Sequence, residues 1–164
     1  DQLPRVHPCS IKWMALGVGD FLPSFSLEDQ NGEQRSPDAV RGRWLVLFFY
    51  PKDDTPGCTI QACSFQASST VFEDLGAEVW GISGDDAISH RRFATRHGLT
   101  YPLLWDRNNS LRRRLGVPKA LGLMPGRVTY VVDGEGVIRH VFSNLLDGPA
   151  HVREAQQVIT SLQN

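Results

Sequence analysis

Two cysteines five residues apart, Cys58 and Cys63, offer the most reactive chemistry in the chain. A single cysteine is by default an inert packing residue, because cysteines rank among the most buried residue types. The surroundings lift this pair out of that default: Thr55-Pro56-Gly57-Cys58-Thr59-Ile60-Gln61-Ala62-Cys63. Thr55 is a good N-cap and Pro56 a good first helical residue, so the spacing predicts a helix with Cys58 third in its first turn. Unpaired backbone N–H groups and the positive end of the helix dipole favour an anion there. The thiolate is the nucleophile, the thiol a poor one. A free thiol of pKa ~8.5 is only a few per cent ionised at neutral pH, and lowering such a pKa to ~6 raises the thiolate share roughly thirtyfold, equivalent to about 2 kcal/mol.

The elements that must position these thiols follow from pattern. Phe25-Ser26-Leu27 before Asn31-Gly32 reads as a small hairpin. Trp44 to Tyr50 is a continuous apolar run, the pattern of a central strand buried on both faces, and Pro51 ends it. Ala77 to Ser83 is a second buried strand. Asp85 or Asp86 caps a helix running to His97, closed by Gly98. Tyr101 to Trp105 is a short strand, and Asn109 to Leu115 a short helix stopped by Gly116. Arg127 to Val132 and Val137 to Phe142 form a hairpin around Gly134-Glu135-Gly136. Val152, Ala155, Val158, Ile159 and Leu162 keep helical spacing in a final amphipathic helix beginning near Pro149. Strands alternating with helices imply parallel pairing, and the closing hairpin adds antiparallel neighbours. The expected fold is therefore an α/β, thioredoxin-like sandwich: a central mixed sheet flanked by helices, with an N-terminal β-hairpin.

The whole chain has 164 residues, enough for one sizeable core. Its formal net charge of −1 gives no bulk pull toward nucleic acid or anionic membrane. The local pairs and triplets Arg91-Arg92 and Arg112-Arg113-Arg114 read as solvated helix faces. No apolar run approaches the ~20 residues needed to span a bilayer, and the first residues lack the layout of a secretory signal. Met14 is a plausible initiator, which makes residues 1–13 an N-terminal extension, an expression remnant or the stub of a processed precursor. Residues 14–164 then form a single domain. Three cysteines are too few, and too odd in number, for a disulfide scaffold.

The stretch from Tyr50 to Cys63 resembles the active-site segment of peroxiredoxins, and more narrowly that of the peroxiredoxin Q, or bacterioferritin comigratory protein, subfamily. Pro51, Thr55 and Cys58 match the family pattern of a proline, three residues, a threonine, two residues and the peroxidatic cysteine. Cys63 occupies the subfamily's resolving position. Leu123 to Asp133 is similar to the strand that carries the family's active-site arginine, which places Arg127 in that role. The resemblance runs from about Val18 to Leu162. It departs from the subfamily at Ser64, Phe65 and Gln66, where charged residues are common, and at Trp105, where small residues are frequent. Cys9 has no counterpart.

The resemblance implies a thiol peroxidase for hydrogen peroxide and organic hydroperoxides. Cys58 attacks the terminal peroxide oxygen and becomes a sulfenic acid, Thr55 offers its hydroxyl to thiolate and peroxide, and Arg127 stabilises the developing charge. Pro51 walls the pocket. Cys63 condenses with the sulfenic acid to an intramolecular disulfide, which thioredoxin or a similar dithiol reduces. No cofactor or metal is implied. A monomer is expected, in the cytoplasm, or in the soluble interior of an organelle if residues 1–13 are a precursor stub.

Plainer roles stand beside these: Thr55 as a cap, Pro51 as a strand terminator, Arg127 as a surface residue and Cys63 as a core thiol. Two other functions compete. A thioredoxin-type reductase is weakened by the absence of Cys-x-x-Cys. A metal-binding module using Cys58, Cys63 and a histidine finds no clamp among His7, His90, His97, His140 and His151, which are scattered. One mechanical expectation follows from the helix. If Cys58 and Cys63 share it, their Cα atoms lie roughly 8.7 Å apart, beyond the ~7 Å reach of a disulfide, so the bond requires unwinding.

Overall fold

The central strand β3 (Trp44–Phe49) is almost wholly buried, as its unbroken apolar run requires. The computed structural model describes residues 15–117, 119–120 and 124–163; the expected extension 1–13 with Cys9, and Met14, lie outside the described residues. β3 pairs in parallel with β4 (Ala77–Ser83) and antiparallel with β8 (Val128–Val132). Beyond β4 lies the parallel strand β5 (Leu103–Trp105), and beyond β8 the antiparallel strand β9 (Ile138–Ser143). The order is β5-β4-β3-β8-β9, a mixed sheet. Two short antiparallel pairs stand apart, β1 (Leu27–Glu28) with β2 (Gln34–Arg35), and β6 (Lys119–Ala120) with β7 (Met124–Pro125). The first is the hairpin predicted at Asn31-Gly32, with Gly32 at φ +81°; the second has no counterpart in the sequence reading.

Alternation along β3 divides the core between the two faces. Val46, Phe48 and Tyr50 point to the side covered by α1 (Pro56–Ala67), α2 (Ser69–Asp74), α3 (Ala87–His97) and α5 (Gly148–Gln163). Leu45, Leu47 and Phe49 point to the side covered by α4 (Ser110–Arg114) and the segment holding Leu22 and Phe25. Phe48 stacks on Phe65 of α1 with ring centroids 4.4 Å apart, the kind of aromatic contact worth about 1 kcal/mol beyond its buried area. This helix-covered mixed sheet is the thioredoxin-like sandwich that the sequence predicts.

Local signals fixed most helix ends. Asp86 caps α3 by accepting from Ser89 N at 2.9 Å, and Gly98 ends it in the left-handed region at φ +64°. The helix begun at Pro56 carries both cysteines and ends at Ala67, because Ser68 leaves the helical conformation (φ −101°, ψ 11°) between α1 and α2. Two expectations need correction. Leu162 is 43% exposed, while Val152, Ala155 and Ile159 carry the buried face of α5. Arg112 is not on a solvated face: only 5% of it is exposed, whereas Arg113 and Arg114 do face water. Leu111 and Leu115 set the buried side of α4, and Arg112 lies at its border.

Candidate active site

Cys58 is the third residue of α1 and 1% exposed. Pro51 follows β3 by one residue, Tyr50, so the strand delivers the chain to the site and the proline, lacking an N–H, cannot continue the ladder. The loop between is pinned from below. Asp53 Oδ1 accepts from the Tyr50 hydroxyl at 2.6 Å, and Asp53 Oδ2 takes the Ser89 hydroxyl at 2.8 Å and lies 2.7 Å from His90 Nδ1. His90 Nε2 lies 3.0 Å from the Leu104 carbonyl, and the Asp53 amide donates to Asp85 at 2.7 Å. Burial, and then the Asp53 charge, push the Tyr50 phenol well above its ordinary value, so it stays a donor. His90 and Asp53 are both buried, and the sequence reading gave neither a role in the site.

Thr55 stands at the N-cap with extended dihedrals (φ −87°, ψ 149°), as predicted, yet its side chain does not cap. The hydroxyl donates to the Lys52 carbonyl at 2.8 Å instead. It closes the turn that presents α1, and among the described residues the first amides of the helix have no side-chain partner. That leaves the donors and the dipole end free to act on an anion within the first turn.

Arg127, immediately before β8, is 5% exposed and reaches across to α1. Its Nη1 lies 3.4 Å from the Cys58 sulfur and also donates to Gln61 Oε1, while Nε donates to the Leu145 carbonyl at 3.1 Å. Two partners, Gln61 and the Leu145 carbonyl, hold one guanidinium against one sulfur. A side chain at Gly57 would press on this arginine, since a Cβ there would lie 3.1 Å from Nη2. Gln61 is fully buried, and among the described residues its Nε2 has no partner. It could have been read from the sequence: Cys58, Ala62 and Phe65 mark the inner face of α1 at helical spacing, and Gln61 is the one polar residue on it. Gly148 makes this packing possible, because a Cβ there would come within 2.8 Å of Gln61 Cβ.

Cys63 is half-buried and, like Cys58, a free thiol. The structure therefore brings Cys58, Arg127 and the start of α1 together, with Pro51 and Thr55 in the adjoining loop. Cys63 stands further along the same helix. Among the described residues, no group of three or more His, Cys, Asp or Glu is placed to hold a metal ion.

His151 supports the segment that holds Arg127. Its Nε2 lies 2.8 Å from the Asn144 carbonyl and its Nδ1 2.7 Å from the Thr129 hydroxyl, the arrangement of a neutral ring. Burial first, and then the Arg127 charge, hold its pKa below the ordinary histidine value. The unfolded ring takes up a proton near pH ~6.5 that the folded ring refuses, so this stabilisation is full above ~6.5 and is lost as pH falls below it. His151→Gln should flatten the decline in unfolding free energy between pH 7 and pH 5.5, by at most about 1.4 kcal/mol per pH unit. Denaturant titrations at the two pH values check this; equal slopes in both proteins would contradict it.

The chain is similar to known proteins in sequence and in fold. Residues 18–141 match the AhpC/TSA family. Chloroplastic peroxiredoxin Q of Triticum aestivum is 45% identical over 145 residues, covering 88% of this chain and 67% of that protein. The peroxidoxin BcpB of Mycobacterium tuberculosis superposes with a TM-score of 0.83 at 31% identity, over 91% of this chain and 99% of that one. The bacterioferritin comigratory protein of Xanthomonas campestris, solved in work on its alkyl peroxide reduction activity, gives a TM-score of 0.78 at 29% identity over 85% and 92% of the two chains. With a family match over most of its length and relatives this similar in sequence and in fold, the chain belongs to the AhpC/TSA family of thiol peroxidases, as a peroxiredoxin of the peroxiredoxin Q type.

Proposed function

We propose that Cys58 is the peroxidatic thiolate, Cys63 its resolving partner and Arg127 the group that stabilises charge at the sulfur. The observation that carries this is the 3.4 Å contact between Arg127 Nη1 and the buried Cys58 sulfur at the start of α1. The thiolate attacks the terminal oxygen of ROOH, the O–O bond breaks, and the departing RO⁻ takes up the proton that the Cys58 thiol gave up, leaving as ROH. The sulfur becomes a sulfenic acid. The Cys63 thiol then displaces water to form a disulfide, which an external dithiol reduces. A fixed cation beside the reacting sulfur favours both the thiolate and the negative charge that develops on the leaving oxygen. Pro51 limits water around the sulfur. Thr55 contributes by setting the turn, and its hydroxyl can donate to sulfur or peroxide only by leaving the Lys52 carbonyl.

The substrates are hydrogen peroxide and organic hydroperoxides, the latter favoured by the alkyl peroxide activity of the Xanthomonas protein. The reductant is thioredoxin or a similar dithiol protein, and the working unit is a monomer. Chloroplastic plant relatives favour the interior of an organelle over the cytoplasm, and with it the reading of residues 1–13 as a precursor stub ahead of a domain spanning 14–164. No helix among the described residues is long and apolar enough to cross a membrane.

Thiol counting tests the assignment. The chain has three cysteines, so one equivalent of peroxide added to reduced protein should leave one free thiol and a disulfide-linked Cys58–Cys63 peptide. An unchanged count, or a disulfide that includes Cys9, would overturn it.

A further inference from the structure

We infer that Arg112 is a positioning residue for the attack on peroxide, tying together the two backbone segments that carry Pro51 and Arg127. The inference rests on the reading of Cys58 as the peroxidatic thiol. Arg112 Nη2 donates to the Tyr50 carbonyl at 3.0 Å, and Nη1 donates to the Gly126 carbonyl at 2.6 Å. Tyr50 immediately precedes Pro51, and Gly126 immediately precedes Arg127. One planar fork thus spans the end of β3 and the approach to β8, and fixes how far apart the pocket wall and the catalytic guanidinium stand.

Its charge is also unusually placed. Arg112 is nearly buried, its Nε has no partner, and no carboxylate pairs with its guanidinium among the described residues. Its carbon sits 5.4 Å over the Phe49 ring. The groups facing it are Asp106 before α4, Tyr130 on β8 and Cys58 on α1. Asp106 spends both carboxylate oxygens on the amides of Leu111 and Arg112, at 2.7 and 2.9 Å. Burial pushes the Tyr130 phenol up to about 12, so it is neutral at physiological pH. Burial lowers the Arg112 guanidinium to about 10, which still leaves it charged there. When Cys58 ionises, its thiolate is the anion not already engaged, so the charges of both Arg112 and Arg127 bear on the sulfur.

A core strut and a positioning residue differ in what their loss disturbs. Arg112→Gln removes fork and charge; Arg112→Lys keeps the charge but cannot bridge two carbonyls in one plane. For each reduced variant, the second-order rate of Cys58 oxidation by hydrogen peroxide is compared with its alkylation by iodoacetamide at the same pH. Alkylation reports the nucleophile alone, and peroxide reports the nucleophile together with its aligned partners. Arg112→Lys should lose about tenfold in peroxide rate with alkylation within about twofold, and Arg112→Gln about a hundredfold in peroxide rate with a smaller fall in alkylation. A folded Arg112→Lys or Arg112→Gln protein with the wild-type ratio of the two rates would overturn the inference. If Arg112→Gln fails to fold, Arg112→Lys decides it. Cys58→Ser is the control: peroxide turnover surviving there would sink the reading of Cys58 itself, whereas an inactive Cys58→Ser with an unchanged ratio in Arg112→Lys removes only the role of Arg112.

Discussion

Cys58→Ser is expected to abolish hydroperoxide turnover, a loss of roughly a thousandfold or more, because a serine hydroxyl is not ionised and cannot take the oxygen atom. Cys63→Ser should behave differently. It should consume about one equivalent of peroxide at the wild-type initial rate and then stall as a sulfenic acid. The asymmetry comes from position: Cys58 sits in the first turn of α1 against Arg127, whereas Cys63 lies at the eighth residue, half-buried and with no cation within bonding distance among the described residues. A steady-state assay with excess dithiol, followed by mass spectrometry of each stalled protein, reads both outcomes. Normal turnover in Cys58→Ser would show that the roles are wrongly assigned.

Much of this site was legible in the sequence because its signals are local. Thr55-Pro56 marks the start of α1 through the geometry each residue favours, and the apolar run at Trp44 to Phe49 marks the central strand. The place of Arg127 was legible only through the family resemblance, since nothing in the spacing of residues 58 and 127 says that they meet. Arg112, Asp53 and His90 were missed for one shared reason. Each is a charged or polar residue buried by partners distant in sequence: Arg112 by the carbonyls of Tyr50 and Gly126, and His90 by Asp53 and Leu104. Composition and periodicity give such residues to the surface by default. Ser68 shows the converse. Its low helix propensity, repeated in Ser69 and Thr70, is a local signal, and the chain breaks there between α1 and α2.

The resolving step is expected to melt part of α1 in every cycle. Both cysteines lie on this one helix, and residues five apart are ~140° apart around its axis, with Cα atoms roughly 8.7 Å apart. A disulfide needs less than about 7 Å, so the bond cannot form on an intact helix. Several contacts oppose melting. The Tyr101 hydroxyl donates to the Ala62 carbonyl at 2.7 Å, the Gln66 side chain binds the Thr100 amide at 2.8 Å, and Gln61 holds Arg127. Favouring it are Ser64, whose hydroxyl turns back to the Ile60 carbonyl at 2.8 Å, and the break at Ser68. Only Ser64 of the serine-rich run lies within α1, so Ser64→Ala should slow disulfide formation modestly, by about half a kcal/mol, and leave the first attack on peroxide unchanged. The most direct test is hydrogen exchange at amides 58 to 66 in fully reduced and in peroxide-oxidised protein. Protection falling by about a hundredfold or more on oxidation, with the central sheet unaffected, is the predicted result. Equal and strong protection of these amides in both states would contradict the account.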